Sequence, residues 1–233
     1  MTDVELLKEQ AGIAACRFIK DGMALGLGTG STVRYSIIEI ARMISEEGMD
    51  LVGVPTSKDT MRLSEELDIP LRAFEDSGTL DLTIDGADEF DHNFDLIKGG
   101  GGALTREKVV ALKSKSMVVV ADNTKKVDIL GEFDLPVEVE KDRWEGVREE
   151  ISRICPGEVR LRENGPEPFE TDNHGFILDC SFGPTISKPK SLERDISDIP
   201  GVVEVGLFVG ICDAVILASS DGVSELIKPG GRI

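Results

Sequence analysis

Residues 85–108, DGADEFDHNFDLIKGGGGALTREK, bring the three acids of DGADE (Asp85, Asp88, Glu89), a lysine (Lys98), four consecutive glycines and a TREK segment into one short window. These residue types suit proton transfer on a small anionic substrate. Carboxylates take and return a proton, while an ammonium and backbone N–H groups without side chains neutralise an oxyanion as it forms. Leu80, Leu82 and Ile84 give the preceding run strand character, so the acids emerge where a strand ends. In open α/β sheets the carboxyl ends of strands are where ligands bind. Thr105-Arg106-Glu107-Lys108 leads into an apolar stretch and reads as a helix start. The window reads as part of an enzyme.

Within it, Asp85 and Asp88 stand three apart in a turn. Closely placed carboxylates are how proteins obtain an acid or base that works near neutral pH. In a chain this acidic, a solvated Asp-Gly turn is the plain alternative. Lys98 is followed by glycines that are costly to order, so a chain retaining them needs its backbone close to a ligand. Donors in such a nest hold an oxyanion, each worth ~3 kcal/mol in the transition state. Glu107 points back at that nest and is the best-placed general base. The same position suits a first-turn glutamate on the helix dipole, worth at most about 1 kcal/mol, and position alone does not choose. Asp91, Asn93 and Asp95 alternate like the opening of a calcium loop, but Leu96 and Gly102 occupy the positions that need Gly and Glu. His92 and His174 lack ligand spacing, so no metal is expected.

A second motif, GLGTGST at 26–32, sits between an apolar run and an amphipathic segment. Glycines there let backbone N–H groups converge on an anion at a helix N-terminus, with Ser31 and Thr32 adding hydroxyls. It is no dinucleotide fingerprint: the third glycine is Gly30, one residue early, and Pro55-Thr56-Ser57 stands where a ribose-binding acid would follow the second strand. No lysine precedes Ser31, which excludes a P-loop. A monophosphate cradle is left, or a tight turn with a helix cap. Lys8 and Lys125 could complete a phosphate site; taken alone each reads as a surface lysine.

The elements that must position these groups follow from periodicity. Apolar residues at helical spacing predict a helix over 3–20, closed by Asp21-Gly22. MALGLG (23–28), LVGVP (51–55), LDLTID (80–85) and MVVVAD (117–122) read as strands, with helices after the first and at 57–67. Strand, turn and helix in repetition is the doubly wound α/β pattern. From about Gly131 the texture changes. PVEVE (136–140) alternates as a half-exposed strand would, a helix follows around 144–154, then VRLR (159–162), a Pro/Gly/Glu turn, GFILDC (175–180), SLERDISDIP (191–200) and VVEVGLF (202–208). That β-α-β-β-α-β order is the split βαβ of a ferredoxin-like unit. AVILAS and DGVSELI return to strand–helix character and could rejoin the first sheet. The expected organisation is a discontinuous first domain, 1–130 plus 208–233, with an inserted domain at 131–207 that could carry a subunit interface. Trp144 and Phe176 read as core residues.

Composition narrows the function. A net charge of −18 with no basic cluster argues against nucleic acid. The four cysteines (Cys16, Cys155, Cys180, Cys212) are scattered, as reduced buried thiols are. The N-terminal stretch lacks the features of a signal peptide, and no apolar run approaches membrane-spanning length. A cytoplasmic protein without membrane contact is expected.

Taken together, GLGTGST, DGADE, KGGGGALTREK and ADNTKKVDILGEFDLPVEV make the chain similar, over nearly its whole length, to the type A ribose-5-phosphate isomerases. The resemblance implies a Rossmann-like domain with a ferredoxin-like one, in a homodimer or homotetramer. It implies cofactor-free interconversion of ribose 5-phosphate and ribulose 5-phosphate, a step of the non-oxidative pentose phosphate pathway. Glu107 would be the proton acceptor that moves hydrogen between C2 and C1 through a cis-enediolate. Asp85, Asp88 and Lys98 would assist ring opening and proton movement on the sugar oxygens, and Gly99, Gly100 and Gly101 would hold the oxyanion. Thr29, Gly30, Ser31, Thr32, Gly86, Ala87 and Lys125 line up with substrate-contacting positions, and Lys8 with a lysine near the phosphate. Lys58-Asp59 departs from the family's usual pair after PTS. The competing readings are a sugar-phosphate sensor and an amino-sugar phosphate deaminase-like enzyme of the same fold.

Overall fold

Short runs rich in branched apolar residues form the strands, and amphipathic segments between them form the helices. The computed structural model describes residues 3–233. In chain order it contains α1 (Asp3–Ala15), β1 (Ala24–Leu27), α2 (Val33–Glu47), β2 (Val52–Pro55), α3 (Lys58–Glu66), β3 (Leu80–Gly86), β4 (Glu89–Phe90), β5 (Leu96–Ile97), α4 (Leu104–Leu112) and β6 (Ser114–Asp122). There follow β7 (Leu135–Val139), α5 (Trp144–Ser152), β8 (Val159–Leu161), β9 (Glu163–Asn164), β10 (Glu167–Pro168), β11 (Phe176–Cys180), α6 (Pro189–Ser197), β12 (Val202–Val205), β13 (Leu207–Phe208), β14 (Ala214–Ser219) and β15 (Gly222–Ile227). None of the described helices is long and apolar enough to cross a membrane. The chain divides into two compact units. The first holds the chain up to Ala87, Arg106–Lys125 and Ile211–Ile233; the second holds Asp88–Thr105 and Lys126–Gly210. Residues 88–105, which the sequence groups with the first domain, fall in the second unit.

The first unit is mixed α/β around a six-stranded sheet ordered β15-β14-β6-β3-β1-β2. β2, β1, β3, β6 and β14 run parallel. Parallel strands need both faces covered, and Met117, Val118, Val119 and Val120 on β6 are accordingly buried without alternation. The chain moves one way from β1 to β2 and the other way from β3 onward, which places a topological switch point between β1 and β3. On one side of the sheet, Ala11 and Ala15 of α1 and Ile37 and Ile40 of α2 pack with Leu25, Ile84, Val118 and Ile216. Gly12 lets the two helices meet: a Cβ there would lie 2.7 Å from Tyr35 Cβ and 2.9 Å from Thr32 O.

The tail departs from its expected strand–helix character. β15 folds back on β14 as an antiparallel hairpin, with Ser219 opposite Gly222. Gly222 takes φ of 108° directly after the two-residue Ser220-Asp221 turn, a conformation that favours glycine. Beyond it, Arg232 is clasped by Asp213, whose carboxylate also accepts the Met117 N–H at 2.9 Å. Arg232 donates from Nε at 2.9 Å, from Nη2 at 2.7 Å and from its backbone N–H at 3.0 Å.

The second unit contains an antiparallel sheet ordered β12-β7-β11-β8 with α5 and α6. Counted within its β-α-β-β-α-β run, the order is 4-1-3-2. Its core joins Val137, Val139, Leu178 and Val205 to Val147 and Ile151 of α5 and Ile196 of α6. Trp144 and Phe176 are only partly buried against it. Contrary to the alternating pattern, every residue of β7 is buried. Glu138 is 1% exposed because its carboxylate accepts the hydroxyls of Thr105 and Thr171, the latter at 2.6 Å. VVEVGLF is two strands rather than one. Gly206 divides it where a Cβ would come within 2.4 Å of Lys98 O, and β13 pairs with β5 in a small sheet completed by β4.

The clasp makes a pH-dependent contribution. Burial pushes the Asp213 carboxyl up, but Arg232 and the N–H groups of Met117 and Arg232 outweigh it and hold the carboxyl below its ordinary range. A folded-state pKa below the unfolded value means stability that is present above about pH 4 and is lost as pH falls through the folded value. Asp213→Asn is expected to cost roughly 1–3 kcal/mol at pH 7. In thermal denaturation from pH 7 to pH 2.5, the gap between wild type and variant should close at the acid end.

Candidate functional site

At the carboxyl edge of the first unit's parallel sheet, β1 ends at Leu27 and β3 at Gly86, on either side of the switch point. Asp85 is wholly buried there, and its Oδ1 accepts N–H bonds from Thr29 at 3.0 Å and Gly86 at 2.7 Å. The carboxylate fits only because residue 28 is glycine: a Cβ would lie 2.2 Å from Asp85 Oδ1 and 2.5 Å from its Cα. Gly86 answers no such restraint, since a Cβ there would meet nothing closer than 3.6 Å. Ala87 next to it is half-buried.

The GLGTGST turn runs from β1 into α2. Thr29 turns inward, its Oγ1 2.8 Å from Thr56 Oγ1 and Ser57 Oγ and 3.2 Å from Thr60 Oγ1. Thr60 Oγ1 donates to Gly28 O at 2.8 Å, and Thr56 Oγ1 to Leu27 O at 3.0 Å. These hydroxyls hold the turn from below and were missed in the sequence; the signal was Thr-Ser directly after the second strand. Gly30 takes φ of 127°. Gly30 and Ser31 are exposed, and Thr32 occupies the helix N-cap without spending its hydroxyl on the cap. Lys8 of α1 lies 3.0 Å from Glu5, whose other oxygen accepts the Tyr35 hydroxyl at 2.8 Å, so Lys8 is tethered beside the first turn of α2. Lys125 lies half-buried in a 3-10 turn just after β6. That turn is closed by Asp122 Oδ1, which accepts the Thr124 N–H at 2.9 Å. Lys58, the family departure, is exposed on the first turn of α3. Glu107 lies in the first turn of α4 and is 4% exposed, as is Lys108 beside it.

The second unit holds the rest. Asp88 Oδ2 accepts the Gly100 N–H at 2.7 Å, and a Cβ on Gly100 would come 2.5 Å from Asp88 Oδ1. Gly102 N–H donates to Gly99 O at 2.9 Å, closing a turn with φ of 111° at Gly99 and 81° at Gly102. The nest read from the sequence is thus partly satisfied from within: one of its donors is held by Asp88 and another by the turn itself. Gly100 and Gly101 are exposed. Lys98 is 2% exposed, its ammonium 5.5 Å from the centroid of the Phe208 ring. Glu89, third acid of DGADE, accepts the N–H groups of Gly131, at 2.7 Å, and Phe133. Burial pushes its carboxyl up, and those two donors pull it part of the way back. Asp91, the head of the apparent calcium loop, binds the N–H groups of Asn93 and Asp95 at 2.8 and 3.0 Å and so builds a turn. Two further arrangements had no sequence signal: Glu138 with Thr105, and an Arg162–Asp179 pair.

A parallel sheet with a switch point, a glycine turn at a helix start and buried acids at its carboxyl edge define an α/β protein that handles a small ligand. A family model for ribose 5-phosphate isomerase A (phosphoriboisomerase A) matches residues 52–222, and the chain belongs to that family. It is accordingly an isomerase, an intramolecular oxidoreductase. A ribose-5-phosphate isomerase A of Oceanobacillus iheyensis is 44% identical over 96% of this chain and 99% of its own. Ribose 5-phosphate isomerase A of Methanocaldococcus jannaschii superposes with a TM-score of 0.91 at 38% identity, covering 96% of this chain and 99% of that one. A D-ribose-5-phosphate isomerase solved in complex with phospho-erythronic acid gives 0.92 at 39% identity, covering 96% and 98%.

The Gly28 contact can be tested directly. Gly28→Ala should displace Asp85, destabilise the fold by roughly 1–3 kcal/mol as overpacking does, and lower isomerase turnover beyond that loss of folded protein. Thermal denaturation beside kcat on the folded fraction separates the two effects.

Proposed function

We propose that this chain interconverts D-ribose 5-phosphate and D-ribulose 5-phosphate through a cis-enediolate, with Glu107 as the general base. Family membership and the complex of a relative with phospho-erythronic acid, a phosphorylated hydroxy acid, support the substrate class. The TREK segment that Glu107 shares with the family supports its role.

In the opened sugar, Glu107 takes the C2 proton as the C1=C2 double bond forms and the carbonyl electrons move onto O1. Lys98 and the glycine turn neutralise that oxygen as its charge develops. Returning the proton to C1, with transfer of the O2 proton to solvent or to O1, leaves the ketose. Asp85, Asp88 and Lys98 serve ring opening and proton movement on the oxygens. Thr29, Gly30, Ser31, Thr32, Lys8 and Lys125 take the phosphate end, whose binding energy fixes C1 and C2 beside the base. Gly86, Ala87, Gly99, Gly100 and Gly101 line the substrate. The 4-1-3-2 order within the second unit supports reading residues 131–207 as a ferredoxin-like domain, and the family resemblance is what suggests a homodimer or homotetramer.

Ribose 5-phosphate conversion in the presence of chelator, compared with Glu107→Gln, tests this reading. Wild type should turn over, and the variant should lose at least ~100-fold in kcat with little change in KM. Activity surviving the substitution would move the base to Asp85 or Asp88. A folded wild type that binds the sugar phosphate but does not convert it would sink the isomerase reading.

A further inference from the structure

The glycine turn does not hold its own shape, because glycines have more conformations to lose than any other residue. Within the second unit, Asp88 restrains it at one N–H and Arg162 restrains it at its carbonyls. Arg162 donates from Nη1 to Gly99 O at 2.8 Å and to Gly100 O at 3.1 Å. Its remaining donors form a two-pronged pair with Asp179 of β11, Nε to Oδ2 at 2.9 Å and Nη2 to Oδ1 at 2.5 Å. The arginine is fixed along its length. Its backbone N–H donates to Ile177 O and its carbonyl accepts from Phe169 N–H, both at 2.8 Å. The Phe169 ring lies 5.9 Å from the guanidinium. The same ring bounds the turn at Gly102, where a Cβ would come within 2.5 Å of it. Both partners of the ion pair are mostly buried, with side chains 15% and 18% exposed.

A planar trans peptide points its C=O and N–H in opposite directions. Arg162 therefore does more than pack. By holding the carbonyls of Gly99 and Gly100 on its own side, it turns the N–H groups of Gly100 and Gly101 to the other side, where Gly100 N–H meets Asp88. A guanidinium can grip a carboxylate with one edge and two carbonyls with a third nitrogen; an ammonium cannot do both.

We propose that Arg162, oriented by Asp179, is a positioning residue for the isomerisation: it fixes the peptide planes of the glycine turn so that Gly100 and Gly101 present their N–H groups to the oxyanion and to Asp88. This rests on the reading of the turn as oxyanion-stabilising given under Proposed function. An interaction that matters chiefly as charge develops should appear in kcat rather than in KM.

Arg162→Lys and Asp179→Asn are the informative variants, the second leaving the arginine in place should the first fold poorly. Each is expected to lose ~10- to 100-fold in kcat with KM for ribose 5-phosphate within about threefold, at a melting temperature that shows the protein folded. Binding of phospho-erythronic acid should weaken in parallel with kcat, while inhibition by inorganic phosphate stays as in wild type. Backbone amide exchange at Gly100 and Gly101, followed by NMR, should quicken in both variants. Unchanged exchange overturns the proposal whatever the activity. So does full kcat in a folded Arg162→Lys. A wild type that exchanges slowly at these amides, with quickened exchange in the variants but no isomerase activity, would uphold the positioning and reject the reaction assigned to it.

Discussion

A fully buried carboxylate at the end of β3 sets the terms for the carboxyl edge of the first unit. Asp85 cannot sit between β1 and β3 without donors, and the backbone of the turn after β1 and Gly86 each supply one. Its position also excludes any side chain at residue 28. The glycine turn is therefore shaped by the acid beside it, and the chain leaves β1 in the direction that starts α2. The hydroxyl cluster of Thr29, Thr56, Ser57 and Thr60 then fixes the turn from its other side. One buried carboxyl group at a switch point thus accounts for a glycine at residue 28 and for the direction of two backbone N–H groups.

The second glycine-rich segment is shaped by different forces. Gly99 and Gly102 are needed for backbone conformation, at φ of 111° and 81°. Gly100 is needed for space beside Asp88. A run of glycines satisfies both demands in one turn but supplies no rigidity, which must come from outside the run. Charged side chains meet that need on the two sides of the turn, Asp88 on an N–H and Arg162 on two carbonyls. Hydrogen bonds with one charged partner are roughly twice as strong as neutral ones, so few contacts suffice.

The parallel sheet was legible because its strands are short, almost wholly apolar and separated by helices, and the site was legible because glycine and acid cluster at strand ends. What was not legible depended on partners distant in the chain. Period two in PVEVE read as a half-exposed strand because Glu138 looks like a solvated acid; Thr105 and Thr171, thirty-three residues away on either side, make its burial affordable. DGVSELI carried too few residues to separate helix from hairpin, and the pairing of Gly222–Ile227 with β14 decided it. VVEVGLF read as one strand because only the approach of Lys98 O to Gly206 shows why it must break. Arg162 and Asp179 lie in a stretch that looked catalytically silent, and their relation to the glycine turn exists only in three dimensions.

The three acids of DGADE show why counting carboxylates in a motif overstates its chemistry. Glu89 accepts two backbone N–H groups from the 131–133 segment with its two oxygens. A proton placed on either oxygen would turn an acceptor toward a donor, so protonation opposes the local fold, and such a group is suited to structure rather than to proton traffic. Asp88 makes its bond to Gly100 N–H through Oδ2 and is only half-buried, so its carboxyl has a face toward water. Asp85 takes two backbone N–H groups on one oxygen, Oδ1. Burial alone therefore does not mark a catalytic acid. Where the backbone leans on both oxygens, as at Glu89, a proton on either one disturbs a backbone bond, and a motif's carboxylates have to be sorted by what each one holds.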